Sequence, residues 1–269
     1  MNTEKLKNPP LVEAIFEMKW TARTSKPAEP VDVTGQVVPS LSAPDDSYEI
    51  LLGQLFSRLE KSYPFTERLQ TVPLPVPFAP QHRFRKKEGG WPLVQVGPGI
   101  LTLNDTKNYK WSDFSKRIKQ VLDAFYELHP HKSEILVESL VLRYIDAEPF
   151  DYEAQNVLPF LQKNLKVRFG LPGNLFDPSE IHNRPEGLSL TVGYRAERPK
   201  GVFQLRIATG TVNEKKSVFW ETIVVGQGKD APQLPTGPAE WVADAHALVH
   251  GCFFGLISGE LQKRYMGNA

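Results

Sequence analysis

The sequence predicts an α+β fold: an antiparallel sheet with helices on one face. Three observations predict it. Apolar and polar residues alternate with period two in residues 11–20, 188–195, 202–208 and 218–225, the mark of strands with one buried face. Apolar residues recur at i, i+3, i+4 in 48–62, 112–128 and 238–265, the mark of amphipathic helices. Short Gly/Pro connections join neighbouring strand-like segments, which suits hairpins better than parallel crossovers. The order is strand, helix, strand, strand, helix, then strand, helix, three strands, helix. A duplicated module is therefore expected, with residues 1–132 and 133–269 as two halves of one compact unit.

In the first strand, Val12, Ala14, Phe16, Met18 and Trp20 share one face, and Glu13, Glu17 and Lys19 lie on the other. Pro9-Pro10 marks its start, because proline cannot donate to a ladder. Residues 21–47 carry no periodicity and read as a long insertion. The helix over 48–62 presents Leu51, Leu52, Leu55, Phe56 and Leu59, with N-caps available at Asp46-Ser47 and Pro64 beyond its end. Residues 71–92 are proline-rich and then basic. Leu93–Val96 and Ile100–Leu103 flank Gly97-Pro98-Gly99, a hairpin turn. Ser112 is the expected cap of the helix to residue 128, which carries Phe114, Ile118, Val121, Leu122 and Phe125. Ile135–Ile145 is apolar on both faces, so a central strand covered on both sides is expected. Asp151 is the expected cap of a helix reaching Val167. In the next strand, Leu188, Leu190, Val192 and Tyr194 oppose Ser189, Thr191, Gly193 and Arg195; in the one after, Phe203, Leu205 and Ile207 oppose Gln204 and Arg206.

Composition excludes several classes of function. Of 269 residues, 41% are apolar and 23% charged, a globular mix large enough to bury a core without staples. Lys plus Arg number 32 against 31 Asp plus Glu, and this near balance argues against a dedicated nucleic-acid or membrane-surface protein. The single cysteine, Cys252, permits neither an internal disulfide nor a thiolate cluster. No stretch reaches the roughly 18–20 apolar residues needed to span a bilayer, and the N-terminus lacks a secretory pattern. A cytoplasmic location is expected.

No catalytic constellation is legible. GxxxxGK[ST], GxGxxG and GxSxG are all absent. Glu13 and Glu17 lie about 13 Å apart along a strand, too far for a carboxylate pair of the glycosidase kind. They read as a solvated face, or as partners for Arg143, Arg195 or Arg206 on a binding surface. His246 and His250 have the i, i+4 spacing of two zinc ligands, but the HExxH glutamate is missing and no third ligand is near, so His246 reads first as a packing residue. Gly251, Gly255 and Gly259 form a stripe that reads as tight packing on the sheet, with a homodimer helix contact or a helix break as alternatives. Arg83, Arg85, Lys86 and Lys87 surround Phe84 in a run that suits phosphates, though such loops are usually only solvated. Cys252 reads as an inert core thiol.

Asn8-Pro9-Pro10-Leu11-Val12-Glu13-Ala14 followed by Phe16-Glu17 resembles the opening signature of a sporadically distributed family of uncharacterised bacterial and archaeal proteins. Gln95-Val96-Gly97-Pro98 to Asn104, Leu142-Arg143-Tyr144-Ile145-Asp146, and Asp244-x-His246 with Phe253 and Ile257-Ser258 are similar to later stretches of that family, in the same order. The family more often has Asn where this chain has Asp146, and often Thr at Ser258. The resemblance implies no catalytic or ligand site; the patchy distribution implies horizontally moving genes, and with them a role against phage or mobile elements.

The leading expectation is a non-enzymatic module that binds a ligand or partner on the polar sheet face, with Glu13, Glu17, Asn104, Arg143, Asp146, Arg195, Arg206 and His246 as candidate binding residues. No cofactor and no metal are expected. The alternatives are a nucleic-acid-engaging component using Arg83, Arg85, Lys86 and Lys87, and a hydrolase using Asp146 or Glu13 with His246.

Overall fold

A computed structural model describes residues 6–22, 46–69, 78–106, 108–177 and 181–268. It is an α+β protein. The strands are β1 (Leu11–Ala22), β2 (Phe65–Arg68), β3 (His82–Arg85), β4 (Leu93–Gly97), β5 (Ile100–Asp105), β6 (Ile135–Pro149), β7 (Ser189–Glu197), β8 (Lys200–Val212) and β9 (Lys215–Gln227). They form one nine-stranded sheet in the order β2-β3-β4-β5-β1-β6-β9-β8-β7, antiparallel in the pairs β2–β3, β3–β4, β4–β5 and β7–β8. The helices are α1 (Asp46–Leu59), α2 (Trp111–Leu128), α3 (Val157–Asn164), α4 (Gly237–Ile257) and α5 (Glu260–Met266). No single helix among the described residues is long and apolar enough to cross a membrane.

The chain divides into two compact units, and the divisions fall inside β1, β6 and β9. The first comprises residues 1–14, 142–224 and 244–269, the second 15–141 and 225–243. This partition differs from the expected 1–132 and 133–269: each unit draws on both halves of the sequence.

In the second unit Phe16, Met18 and Trp20 of β1 are buried, as the alternation requires, and Trp20 meets Phe125 of α2 edge-on at 4.5 Å. Phe114, Ile118, Val121, Leu122 and Phe125 are all buried on α2. Tyr48 of α1 reaches His82 of β3 at 2.9 Å, and burial pushes its phenol pKa far above the ordinary value. The β4–β5 hairpin turns through Gly97-Pro98-Gly99. Gly99 holds a φ of +74°, and a Cβ on Gly97 would stand 2.0 Å from the Ala79 carbonyl oxygen, so both positions demand glycine.

In the first unit, α3, α4 and α5 supply Val157, Leu161, Ile257, Leu261 and Tyr265, together with Leu165 just past α3, to a core closed by Ile207, Val218 and Trp220 of the sheet. β6 runs longer than expected, and only one of its faces is fully covered here: Leu142, Tyr144, Asp146 and Glu148 are buried, whereas Arg143, Ile145 and Ala147 are half-buried. The expectation of a strand sealed on both sides is corrected accordingly.

Other local expectations change as well. Residues 65–68 and 82–85 are strands; four residues are too few to display a period, and His82-Arg-Phe-Arg reads as a charged loop. Lys110, not Ser112, precedes α2, and no side chain caps it. Asp151 caps a turn by accepting from the amides of Glu153 and Ala154, while α3 begins later, with Asn156 accepting from Leu158 N. The final helix is broken. Gly259 has a φ of +114°, and α4 and α5 diverge by 112°. Gly251 and Gly255 do not pack on the sheet: both are exposed, and a Cβ added at either would meet nothing within 4 Å. Apart from the end of β1 and the start of α1, the insertion expected over 21–47 lies outside the described residues.

Candidate functional site

Strand parity sorts the candidate residues. Successive side chains on β6 point to opposite faces, so Arg143 lies on one side of the sheet and Tyr144 and Asp146 on the other. The two groups are separate sites.

On the more open face, Arg143 of β6 and Arg206 of β8 converge on Glu221 of β9. Arg143 Nη2 stands 2.5 Å from Glu221 Oε2, and Arg206 Nη1 3.3 Å from Oε1. The strand order β6-β9-β8 produces this row, since β9 lies between the two arginine strands. Burial is uneven. The Glu221 side chain is 4% exposed, against 34% for Arg143 and 43% for Arg206. One carboxylate thus faces two guanidiniums, leaving a net positive charge whose outer parts meet solvent. Arg143 Nε is buried and has no hydrogen-bond acceptor. Arg206 also lies 5.7 Å from the centre of the Phe219 ring. Phe219 and Ile223 share the Glu221 face of β9, Ile145 shares the Arg143 face of β6, and all three are half-buried. The surface is an arginine pair within an apolar collar, less polar than the alternation in β7 and β8 suggests.

On the helix-facing side, Tyr144 Oη lies 3.1 Å from His246 Nδ1. Burial, and then the charge of His250, hold the His246 pKa down to about 3. The His246 and His250 rings are 5.5 Å apart. A neutral, packed histidine results. Asp146 is 3% exposed, and burial pushes its pKa up to about 8. Beyond it Glu148 accepts from Tyr265 Oη at 2.6 Å and pairs with Arg264 at 2.8 Å.

The remaining candidates stand elsewhere. Glu17 pairs with Lys19 at 3.2 Å. Glu13 is half-buried on β1, and Arg195 is exposed on β7. Asn104 is buried in the second unit and accepts from Thr102 and Gln95 side chains. In that unit Glu67, Arg83, Gln95 and Thr102 are aligned across four strands. Arg83 Nε donates to Gln95 Oε1 at 2.7 Å. Arg85 donates from Nε to Glu67 Oε1 and from Nη1 to the Gly90 carbonyl, and its guanidinium lies 5.6 Å from the Trp91 ring centre. Both arginines of the basic run are therefore bonded within the fold, leaving Lys86 and Lys87 exposed.

Sequence reasoning missed Glu221. It is one acid in the apolar run Val218–Val225, and such a residue reads as solvent-facing. The available signal was its position on the same face as Phe219 and Ile223, neither of which favours water. Among the described residues, no group of three or more His, Cys, Asp or Glu is placed to hold a metal. No family model, curated protein or solved structure matches this chain.

Proposed function

We propose that this chain is a non-enzymatic binding module that receives the anionic end of a ligand or partner at Arg143 and Arg206. The observation that carries the reading is the two-to-one arrangement around Glu221: the carboxylate is buried and the guanidiniums reach solvent. Arginine forks suit carboxylate and phosphate oxygens, and charge-assisted bonds of this kind are roughly twice as strong as neutral ones. The Phe219, Ile145 and Ile223 collar favours an anion attached to an apolar body.

The experiment is a titration followed by NMR, with phenyl phosphate and inorganic phosphate as probes. Phenyl phosphate is expected to shift resonances of Arg143, Arg206 and Phe219, to bind more tightly than inorganic phosphate, and to weaken with salt. Arg206→Gln is expected to lower its affinity about tenfold, the loss of one charge-assisted bond. Equal binding by wild type and Arg206→Gln removes the reading.

A further inference from the structure

β7 ends the sheet order, so one of its long edges has no neighbouring strand among the described residues. Pairing on the other edge determines what the free edge presents. β7 and β8 are aligned from Ser189↔Ala208 to Glu197↔Lys200, and Thr209 N donates to Leu188 O at 3.0 Å in the same register. Even-numbered residues of β7 therefore turn their N–H and C=O toward β8. Ser189, Thr191, Gly193, Arg195 and Glu197 turn theirs outward.

This edge is long and unbroken: its nine residues contain no proline and no lysine, its charges are confined to Arg195 and Glu197 near one end, and the ladder to β8 runs without an interruption. The opposite edge strand, β2, has only four residues. Gly193 sits at the midpoint of β7. It needs no left-handed backbone, and a Cβ there would make only ordinary contacts, the nearest at 3.7 Å to Val202. Neither backbone conformation nor crowding within the chain calls for glycine, and the residue leaves the middle of this edge bare of a side chain. Next to it Tyr194 is 61% exposed.

We propose that β7 pairs antiparallel with β7 of a second copy, about a two-fold axis through Gly193. This register uses the whole strand, and every outward N–H and C=O from residue 189 to 197 meets a mate. Gly193 faces its own copy, Thr191 faces Arg195, and Ser189 faces Glu197, so no like charges meet. Val192 faces Tyr194 and Leu190 faces Ala196 on the other side of the pleat, which covers the exposed ring with a β-branched neighbour. Sliding the strands shortens the ladder, and centring it on Arg195 sets that cation against itself. The contact is isologous and closes at two copies.

Sedimentation of the full chain tests the proposal, with a dimer expected at micromolar concentration. Thr191→Pro removes one outward donor and leaves the bonds to β8 intact; it is expected to give a folded monomer whose melting temperature no longer depends on protein concentration. In a Cys252→Ser background, Gly193→Cys is expected to form a disulfide-linked dimer on mild oxidation, because a hydrogen-bonded antiparallel pair sets Cα atoms about 5.5 Å apart. That variant decides the matter even where Thr191→Pro fails to fold. A monomer at all accessible concentrations overturns the proposal, whether or not it accepts an extended peptide on β7. So does a dimer that survives Thr191→Pro and is not trapped by Gly193→Cys.

Discussion

Each unit contains a carboxylate shared by two arginines, and the two clusters are built in opposite senses. In the second unit, Glu67 is 39% exposed, Arg85 is buried and Arg83 is 35% exposed; the guanidiniums find further acceptors in Gln95 and Gly90. In the first unit the carboxylate is buried and the arginines are the exposed members. The same three charges thus give a closed structural clamp in one place and an open cationic surface in the other. Which partner is desolvated decides the difference. A buried cation must be fully bonded, whereas a half-exposed one keeps donors for something else.

The largest expected effect sharpens that contrast. Glu221→Gln leaves two adjacent cations with no counter-charge and should cost about 2–3 kcal/mol, the lower end for a broken buried pair because the arginines are partly solvated. Glu67→Gln should cost less, about 1–2 kcal/mol, because it leaves the buried Arg85 without a counter-charge while the glutamine oxygen can still accept its Nε–H. Urea unfolding of the two variants makes the comparison; equal losses would break it.

Next is Asp146, a buried carboxyl of the first unit with no cation bonded to it among the described residues. Its pKa rises from 3.8 unfolded to about 8 folded. The folded state thus holds the proton that the unfolded state releases, and stability falls as pH rises from about 4 to about 8. Asp146→Asn should raise the melting temperature at pH 8 by a few degrees and flatten that slope, as followed by circular dichroism across pH. An unchanged profile would show that burial without a cation carries no such penalty here.

A smaller effect separates structure from binding. Arg206→Gln should change unfolding free energy by less than about 1 kcal/mol while weakening phenyl phosphate tenfold. Arg83→Gln should leave that affinity untouched. Smallest of all, Gly251→Ala and Gly255→Ala should each stabilise the fold by about 0.5–1 kcal/mol, because alanine favours a helix and its methyl enters open space. A loss of stability there would mean that something already covers the glycine face.

Much of this architecture was legible before any coordinates. The alternation in β1, β7 and β8, the Gly97–Gly99 turn and the apolar face of α2 are local patterns, and local patterns survive into the fold. Arg143 and Arg206 were legible for the same reason. Glu221 was not, because its pairing depends on β9 being inserted between β6 and β8, a matter of strand order that nearby sequence does not encode. Asp146 and His246 were grouped with the arginines although period-two geometry places Asp146 on the other face from Arg143. The break after Ile257 was legible only as an alternative reading of the glycine stripe, because Gly259 looks like its neighbours Gly251 and Gly255 and only its backbone torsion sets it apart.

That corner at Gly259 has a mechanical consequence. It swings the last turns of the chain back over the first unit, so that Leu261 and Tyr265 become part of the core wall and Tyr265 reaches the end of β6. The backbone carbonyl of Tyr265 also holds the amide of Asn8, just ahead of β1. A protease cutting between Ser258 and Glu260 would therefore remove masonry instead of a loose tail, unroofing apolar surface and freeing the start of β1 in a single stroke.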